Sequence, residues 1–213
     1  MELQLQNDRI EDYLRRTDII DFDDPVIRNL AGQFKSESDS ETDLIRRTYE
    51  FVRDKISHSA DIEGKAVTCK ASDVLAAREG ICFAKSHLLA ALLRANGIPT
   101  GFCYQRLRLD DTVGSPFVLH GLNAVYLKER DKWIRLDARG NKDGVDAQFS
   151  LSEERLAYPV SLERSEFDYP IIYSDPVSEV VKALTRWKTF EELWANLPEG
   201  IDRESYPPCR IYR

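Results

Sequence analysis

The chain is expected to fold as an α+β domain, and two observations carry that expectation. Apolar residues recur at helical spacing through the first hundred positions, and from Thr100 the period shortens to that of strands. The strands follow one another without intervening helices, so they form an antiparallel meander beside a helix cluster. No phosphate-binding glycine loop, alternating strand–helix pattern or internal repeat is present.

Ile10, Tyr13 and Leu14 predict a short first helix. Asp24-Pro25 is a cap and first-turn pair opening a second helix through Val26, Ile27, Leu30 and Phe34. Residues 36–43 read as a polar loop. A third helix starts near Ser40, with Asp43 three residues on, and runs through Leu44, Ile45, Thr48, Phe51, Val52 and Ile56. Residues 57–70 are irregular. Ser72 caps a short helix through Val74, Leu75 and Ala76 that ends near Gly80.

The helix from Cys82 is apolar on most of its surface, which predicts burial at the centre of the domain. Asn96-Gly97, with Pro99 beyond, stops it. A thiol on its first turn faces unpaired backbone N–H groups and the positive end of the helix dipole, and both favour thiolate. Thr100–Leu109, Val118–Leu127 and Lys132–Asp137 read as strands, the first two joined by a polar loop and the last two by the charged turn 128–131. Beyond Asn141 the chain predicts an extended wrap with Tyr158, Phe167, Tyr169 and Tyr173, a helix from Pro176 to Trp187, and another from Thr189 to Leu197 with Glu192 at capping-box spacing. The ending with Pro207-Pro208 is irregular.

The chain has 213 residues, 42% of them hydrophobic, and a net charge of −7. That balance disfavours nucleic acid and anionic membranes as partners. No stretch is long and apolar enough to span a bilayer. The first eight residues carry no basic region and no apolar run, so a secretory signal is not expected, and a cytoplasmic chain with reduced thiols is. Cys69, Cys82, Cys103 and Cys209 form no zinc spacing, and no metal or cofactor is expected. Cys69, Cys103 and Cys209 read as small, buried or semi-buried side chains.

A cysteine nucleophile needs a base, and the base an orienting group. The chain has three histidines. His87 lies five positions after Cys82 on one helix, pointing roughly 140° away. His58 sits in a loop after the third helix. His120 lies near a strand start, with Gly121 beside it leaving room for close approach. The following strand ends in Asp137. A tight turn centred near Glu129 sets Gly121 across from Asp137, with His120 adjacent, and cross-strand neighbours lie about 5 Å apart. A turn centred a residue or two later would separate them.

Gly80-Ile81-Cys82 with Leu88, Leu89, Ala91, Leu92, Arg94, Ala95 and Gly97-Ile98-Pro99 resembles the nucleophile segment of the transglutaminase-like superfamily. His120 at a strand start and Trp133-Ile134-Arg135-Leu136-Asp137 resemble its histidine and aspartate segments, and Ala71-Ser72-Asp73-Val74-Leu75 its approach to the cysteine. The resemblance covers about residues 42–140. It implies a papain-like core, with the central helix packed on an antiparallel sheet and a catalytic set of Cys82, His120 and Asp137. Residues 1–41 then form an N-terminal helical extension, 42–150 the core, and 151–213 a C-terminal extension packed on it. The sequence departs from the family at Leu122, where many members carry tryptophan, and at Ala76, where a papain-like glutamine would stand. The backbone N–H of Cys82 is one oxyanion donor. Tyr104, Gln105 and Asn123 are candidates for the second.

These residues predict acyl transfer on an amide or ester through a thioester, with hydrolysis favoured and a peptide or amide as substrate. Capture of the thioester by an amine, as in a transglutaminase, and a non-catalytic binding module that keeps the fold are the alternatives. Oligomeric state is not legible in the sequence.

Overall fold

A computed structural model describes residues 2–202. Cys209 and Pro207-Pro208 lie outside the described residues. The first expected helix is a 3-10 turn, Ile10–Leu14, after a two-residue strand β1 (Gln4–Leu5). Helix α1 (Pro25–Ser36) opens as its sequence requires, with the Asp24 carboxylate accepting from the N–H groups of Val26 and Ile27. In α2 (Glu41–Lys55) Ser40 is the cap, accepting from Asp43 N–H at 3.1 Å.

Residues 57–70 contain more order than the sequence suggests. Strand β2 (Ser57–His58) pairs in parallel with β3 (Glu79–Gly80), setting His58 across from Gly80. Between them, α3 spans Ala71–Ala77. Ser72 is not its cap but lies inside it. Asp21, distant in sequence, accepts from Ser72 N–H at 3.1 Å and from Ser72 Oγ at 2.5 Å, doing a cap's work from outside the helix.

Helix α4 (Cys82–Ala95) is the buried centre: every residue from Cys82 to Arg94 is buried. Helices α1, α2 and α3 contact it, as do strands β4 (Thr100–Arg108) and β5 (Phe117–Leu127). Leu88, Leu89, Leu92 and Leu93 have no exposed surface, and each such burial stabilises by about 1.5–3 kcal/mol. The helix also carries cations into the core, and these end on backbone carbonyls. Arg94 donates to the carbonyls of Thr100, Arg15 and Ser174, tying the N- and C-terminal segments to the end of α4. Lys85 Nζ donates to those of Arg53, Ile56 and Arg139 at 3.1, 2.6 and 2.8 Å. Burial pushes the Lys85 ammonium down to about 7.

Strand β6 (Lys132–Leu136) follows β5, and the sheet order is β6-β5-β4-β7. The fourth strand, β7 (Phe167–Asp168), comes from the expected wrap, whose next segment β8 (Ile171–Ile172) pairs in parallel with β1. A wrap lying against an open sheet edge finds backbone groups to bond, which composition alone does not reveal. Helices α5 (Ser178–Arg186) and α6 (Phe190–Trp194) close the described chain, α6 with the predicted capping box on Thr189 and Glu192.

The β5–β6 register differs from expectation by one residue. Leu127 pairs with Lys132 and Asn123 with Leu136. Carried one step past β6, the pairing sets Asp137 across from Leu122, not Gly121. The later turn does not separate His120 from Asp137. Side chains alternate with a period of two, so the observed register places Asp137 on the face of Leu122 and His120, whereas the expected one would have put His120 on the opposite face.

Candidate active site

Cys82 is the first residue of α4, and Ile81 before it makes no side-chain cap bond. The first N–H groups of the helix therefore lack an intrahelical or side-chain partner. Gly121 lets β5 approach this turn: a Cβ there would lie 2.6 Å from Phe83 Cδ1. The glycine is thus required by close packing against the residue after Cys82.

His120, nearly fully buried, is bonded through Nε2 to Asp137 Oδ2 at 2.8 Å. Asp137 is fixed in turn by the N–H groups of Arg139 at 3.1 Å and Ala157 at 3.0 Å. Burial alone would raise the Asp137 carboxyl, but His120 and these hydrogen bonds hold it below its ordinary value. Burial alone would lower His120, but Asp137 and the Cys82 sulfur outweigh it and raise His120 to about 10. With Nε2 engaged by Asp137, Nδ1 is the nitrogen left to exchange a proton with the sulfur. Tyr158 stands edge-on to the His120 ring, with centroids 5.1 Å apart, and limits its rotation.

Cys82 and His120 line one cavity of about 120 Å3. One wall is apolar, from Leu107, Leu109, Val118, Leu119, Trp194 and Leu197. His58, Arg139 and Tyr158 line the same cavity. Arg139 is buried and ion-paired with Asp61, to which Lys142 also donates. Burial would lower the Arg139 guanidinium, but Asp61 raises it. Burial, then the charge of Arg139, pushes His58 down to about 3.

The structure thus brings Cys82, His120 and Asp137 together. It does the opposite for the proposed second oxyanion donors: none of the three lines the cavity, and the amide groups of Asn123 and Gln105 donate to structural partners. Asn123 Nδ2 donates to the carbonyls of Ser86 and Gly101, and Gln105 Nε2 to Asp168. Tyr104 Oη accepts from Val177 N–H. His87 is buried away from the cavity, its Nδ1 bonded to the Cys69 carbonyl at 2.8 Å. Cys69 and Cys103 are buried free thiols, as their residue type suggested. His58, Arg139 and Tyr158 were not singled out in the sequence as partners of Cys82. Arg139 follows Asp137 by two residues and was findable by proximity. His58 has no local signal, because only the β2–β3 pairing carries it beside the residues preceding Cys82. No three His, Cys, Asp or Glu side chains converge as a metal site among the described residues, and no helix among them is long and apolar enough to cross a membrane.

Comparison with known proteins agrees with this architecture. No curated protein matches the sequence at a significant level. Among solved structures, a protein described as a putative cysteine protease from Cytophaga hutchinsonii shares 20% identity, with a TM-score of 0.50 over 62% of this chain and 43% of that one. The periplasmic domain of TgpA from Pseudomonas aeruginosa shares 17% identity, with a TM-score of 0.44 over 59% of this chain and 45% of that one. The chain therefore spans less than half the length of these structures, and the first likeness speaks for the fold alone. The model of the transglutaminase-like superfamily matches residues 28–138, more than half of the chain. With its α+β core built on a buried helix and an antiparallel sheet, the chain belongs to the transglutaminase-like superfamily.

Proposed function

We propose that the chain is a cysteine-dependent hydrolase acting on an amide or ester, with Cys82 as nucleophile, His120 as base and acid, and Asp137 as the group that orients and charges His120. The observation that carries this reading is the His120–Asp137 hydrogen bond at the wall of the cavity that Cys82 also lines. Membership of a superfamily with cysteine chemistry supports it.

The Cys82 sulfur, its proton held on His120, attacks the carbonyl carbon, and the carbonyl π pair moves to oxygen. Backbone N–H groups at the start of α4 stabilise that oxyanion. The tetrahedral species collapses, the bond to the leaving group breaks, and the leaving nitrogen or oxygen takes the proton from His120. Water then attacks the thioester, giving a proton to His120, and Cys82 leaves as thiolate with a carboxylic acid as product. The apolar wall suits a peptide or amide whose acyl side is aliphatic or aromatic. The free thiols Cys69, Cys82 and Cys103 suit a reducing, cytoplasmic compartment.

A library of peptides and amides, incubated with wild type and with Cys82→Ala and read by mass spectrometry, tests the reading. Cys82-dependent products carrying one added water are expected. Products joined to an added amine such as glycine methyl ester would instead establish the transglutaminase reaction. Failure of Cys82 to form an acyl-enzyme with any member of the library, or products that survive Cys82→Ala, would remove the hydrolase assignment.

A further inference from the structure

At Leu122 and Ala76 the chain lacks the side-chain donor that a papain-like enzyme aims at the tetrahedral oxyanion, and Tyr104, Gln105 and Asn123 lie outside the lining of the cavity, the amide groups of the last two donating elsewhere. His58 meets the chemical requirements those residues fail. It is buried and lines the cavity shared by Cys82 and His120. Its Cα partner across the β2–β3 ladder is Gly80, two residues before Cys82, and adjacent strands lie about 4.8 Å apart. The ring is therefore held at the approach to the nucleophile by backbone pairing, on an element independent of α4.

One hydrogen bond of the ring fixes its tautomer. His58 Nδ1 accepts the Ala60 N–H at 3.3 Å. A nitrogen that accepts holds no proton, so the neutral ring carries its hydrogen on Nε2. Asp61, the nearby carboxylate, accepts from Arg139 and Lys142, and among the described residues no hydrogen bond joins it to His58. Among the described residues Nε2–H has no hydrogen-bond acceptor. Its surroundings also keep the ring uncharged at neutral pH: burial, Arg139, Lys85 and His120 all disfavour a proton on Nδ1, and only Asp61 favours it. A neutral imidazole is a fixed donor that gives up no proton, which suits stabilisation of an oxyanion and not proton transfer.

We propose that His58 is the side-chain donor of the oxyanion hole, its Nε2–H acting with the backbone N–H of Cys82 on the oxygen of the tetrahedral intermediate. This rests on the acyl-transfer reading above. As the C–S bond forms, the carbonyl π pair moves to oxygen and is held by these two hydrogen bonds. As it returns, the bond to the leaving group breaks, and the His58 proton stays on Nε2 throughout.

The test separates thiolate formation from oxyanion stabilisation. Iodoacetamide alkylates Cys82 by displacement at carbon and builds no oxyanion, whereas 4-nitrophenyl acetate acylates it through a tetrahedral oxyanion and releases 4-nitrophenolate. His58→Phe, which keeps the ring volume without the donor, and His58→Ala are expected to slow single-turnover acylation by about 10²–10³-fold while alkylation stays near the wild-type rate. His58→Gln, which restores an N–H donor, is expected to recover most of the loss. Thermal melts of each variant verify folding, with His58→Gln as the conservative check. Acylation at the wild-type rate in His58→Phe overturns the assignment, and so does a parallel fall in alkylation and acylation, which would make His58 a determinant of the thiolate. Wild type that alkylates at Cys82 yet releases no Cys82-dependent nitrophenolate overturns the acyl-transfer reading itself, and the role of His58 with it.

Discussion

Replacing Asp137 by Asn changes one charge and almost no volume at the most constrained point of the site. Asp137 Oδ2 accepts from both His120 Nε2 and Ala157 N–H, and Oδ1 from Arg139 N–H. An Asn oxygen in the Oδ2 position keeps the first two bonds, while its NH2 group then faces the Arg139 N–H, and the negative charge is gone. Opposite charges about 4 Å apart in an effective dielectric near 20 attract by ~4 kcal/mol. At 1.36 kcal/mol per tenfold, that is about three powers of ten in the protonation equilibrium of His120. The size agrees with a His120 raised from 6.5 to about 10 against its own burial. Without the charge, burial is opposed only by the sulfur, and His120 drops toward or below its ordinary value. At neutral pH the imidazolium–thiolate pair should then fall by about 10²–10³-fold, and turnover by about 10³–10⁴-fold, as in other enzymes of this logic. The assay is the rate of carbamidomethylation of Cys82, read by mass spectrometry across pH. Wild type should label at a nearly constant rate through the neutral range, because His120 keeps its proton until about pH 10. The variant should label slowly at pH 7 and accelerate as pH rises. Equal rates and equal pH profiles in the two proteins would refute the claim that Asp137 charges His120.

Two stability predictions follow from the same core. Gly121→Ala puts a methyl group 2.6 Å from the Phe83 ring and 3.6 Å from its Cα, so β5 or the first turn of α4 must shift. Urea denaturation should show a loss of about 1–3 kcal/mol, with Cys82 labelling altered as well; an unchanged midpoint would mean that the close approach is not needed. His87 is buried without charge, and burial pushes it from 6.5 down to about 4. Between those values the unfolded chain takes up a proton that the native ring refuses, so stability present above pH 6.5 is lost as pH falls. By pH 5 the loss is about 2 kcal/mol. His87→Leu should flatten this acid limb relative to wild type, and denaturation at pH 7 and pH 5 compares them; equal losses would show that His87 is not the titrating group.

Local chemistry explains why much of the chain was legible. The Asp24-Pro25 start, the Ser40 cap, the Thr189–Glu192 capping box and the Asn96-Gly97 stop each depend on residues a few positions apart. Cys82 and His120 stood out because a helix start and a strand glycine mark them. Bonds that span long sequence distances leave no local signal. Asp21 displaces Ser72 as the outside cap of α3 across 51 residues, and β7 joins the sheet edge from within a segment whose composition suggested only a wrap.

By itself the sequence determined the residue types of the site and the elements that carry them, since periodicity, caps and turns act over a few residues. Tertiary structure decided which of those residues meet. The β5–β6 register moved one step from the expected one, and because strand side chains alternate, that step put Asp137 on the face of His120. A two-residue parallel pairing brought His58, a loop histidine by sequence, into the lining of the cavity that Cys82 and His120 share. Neither outcome has a local cause: a register is the joint result of a turn and of every pair along the ladder, and the protonation of buried histidines depends on charges that only folding brings near.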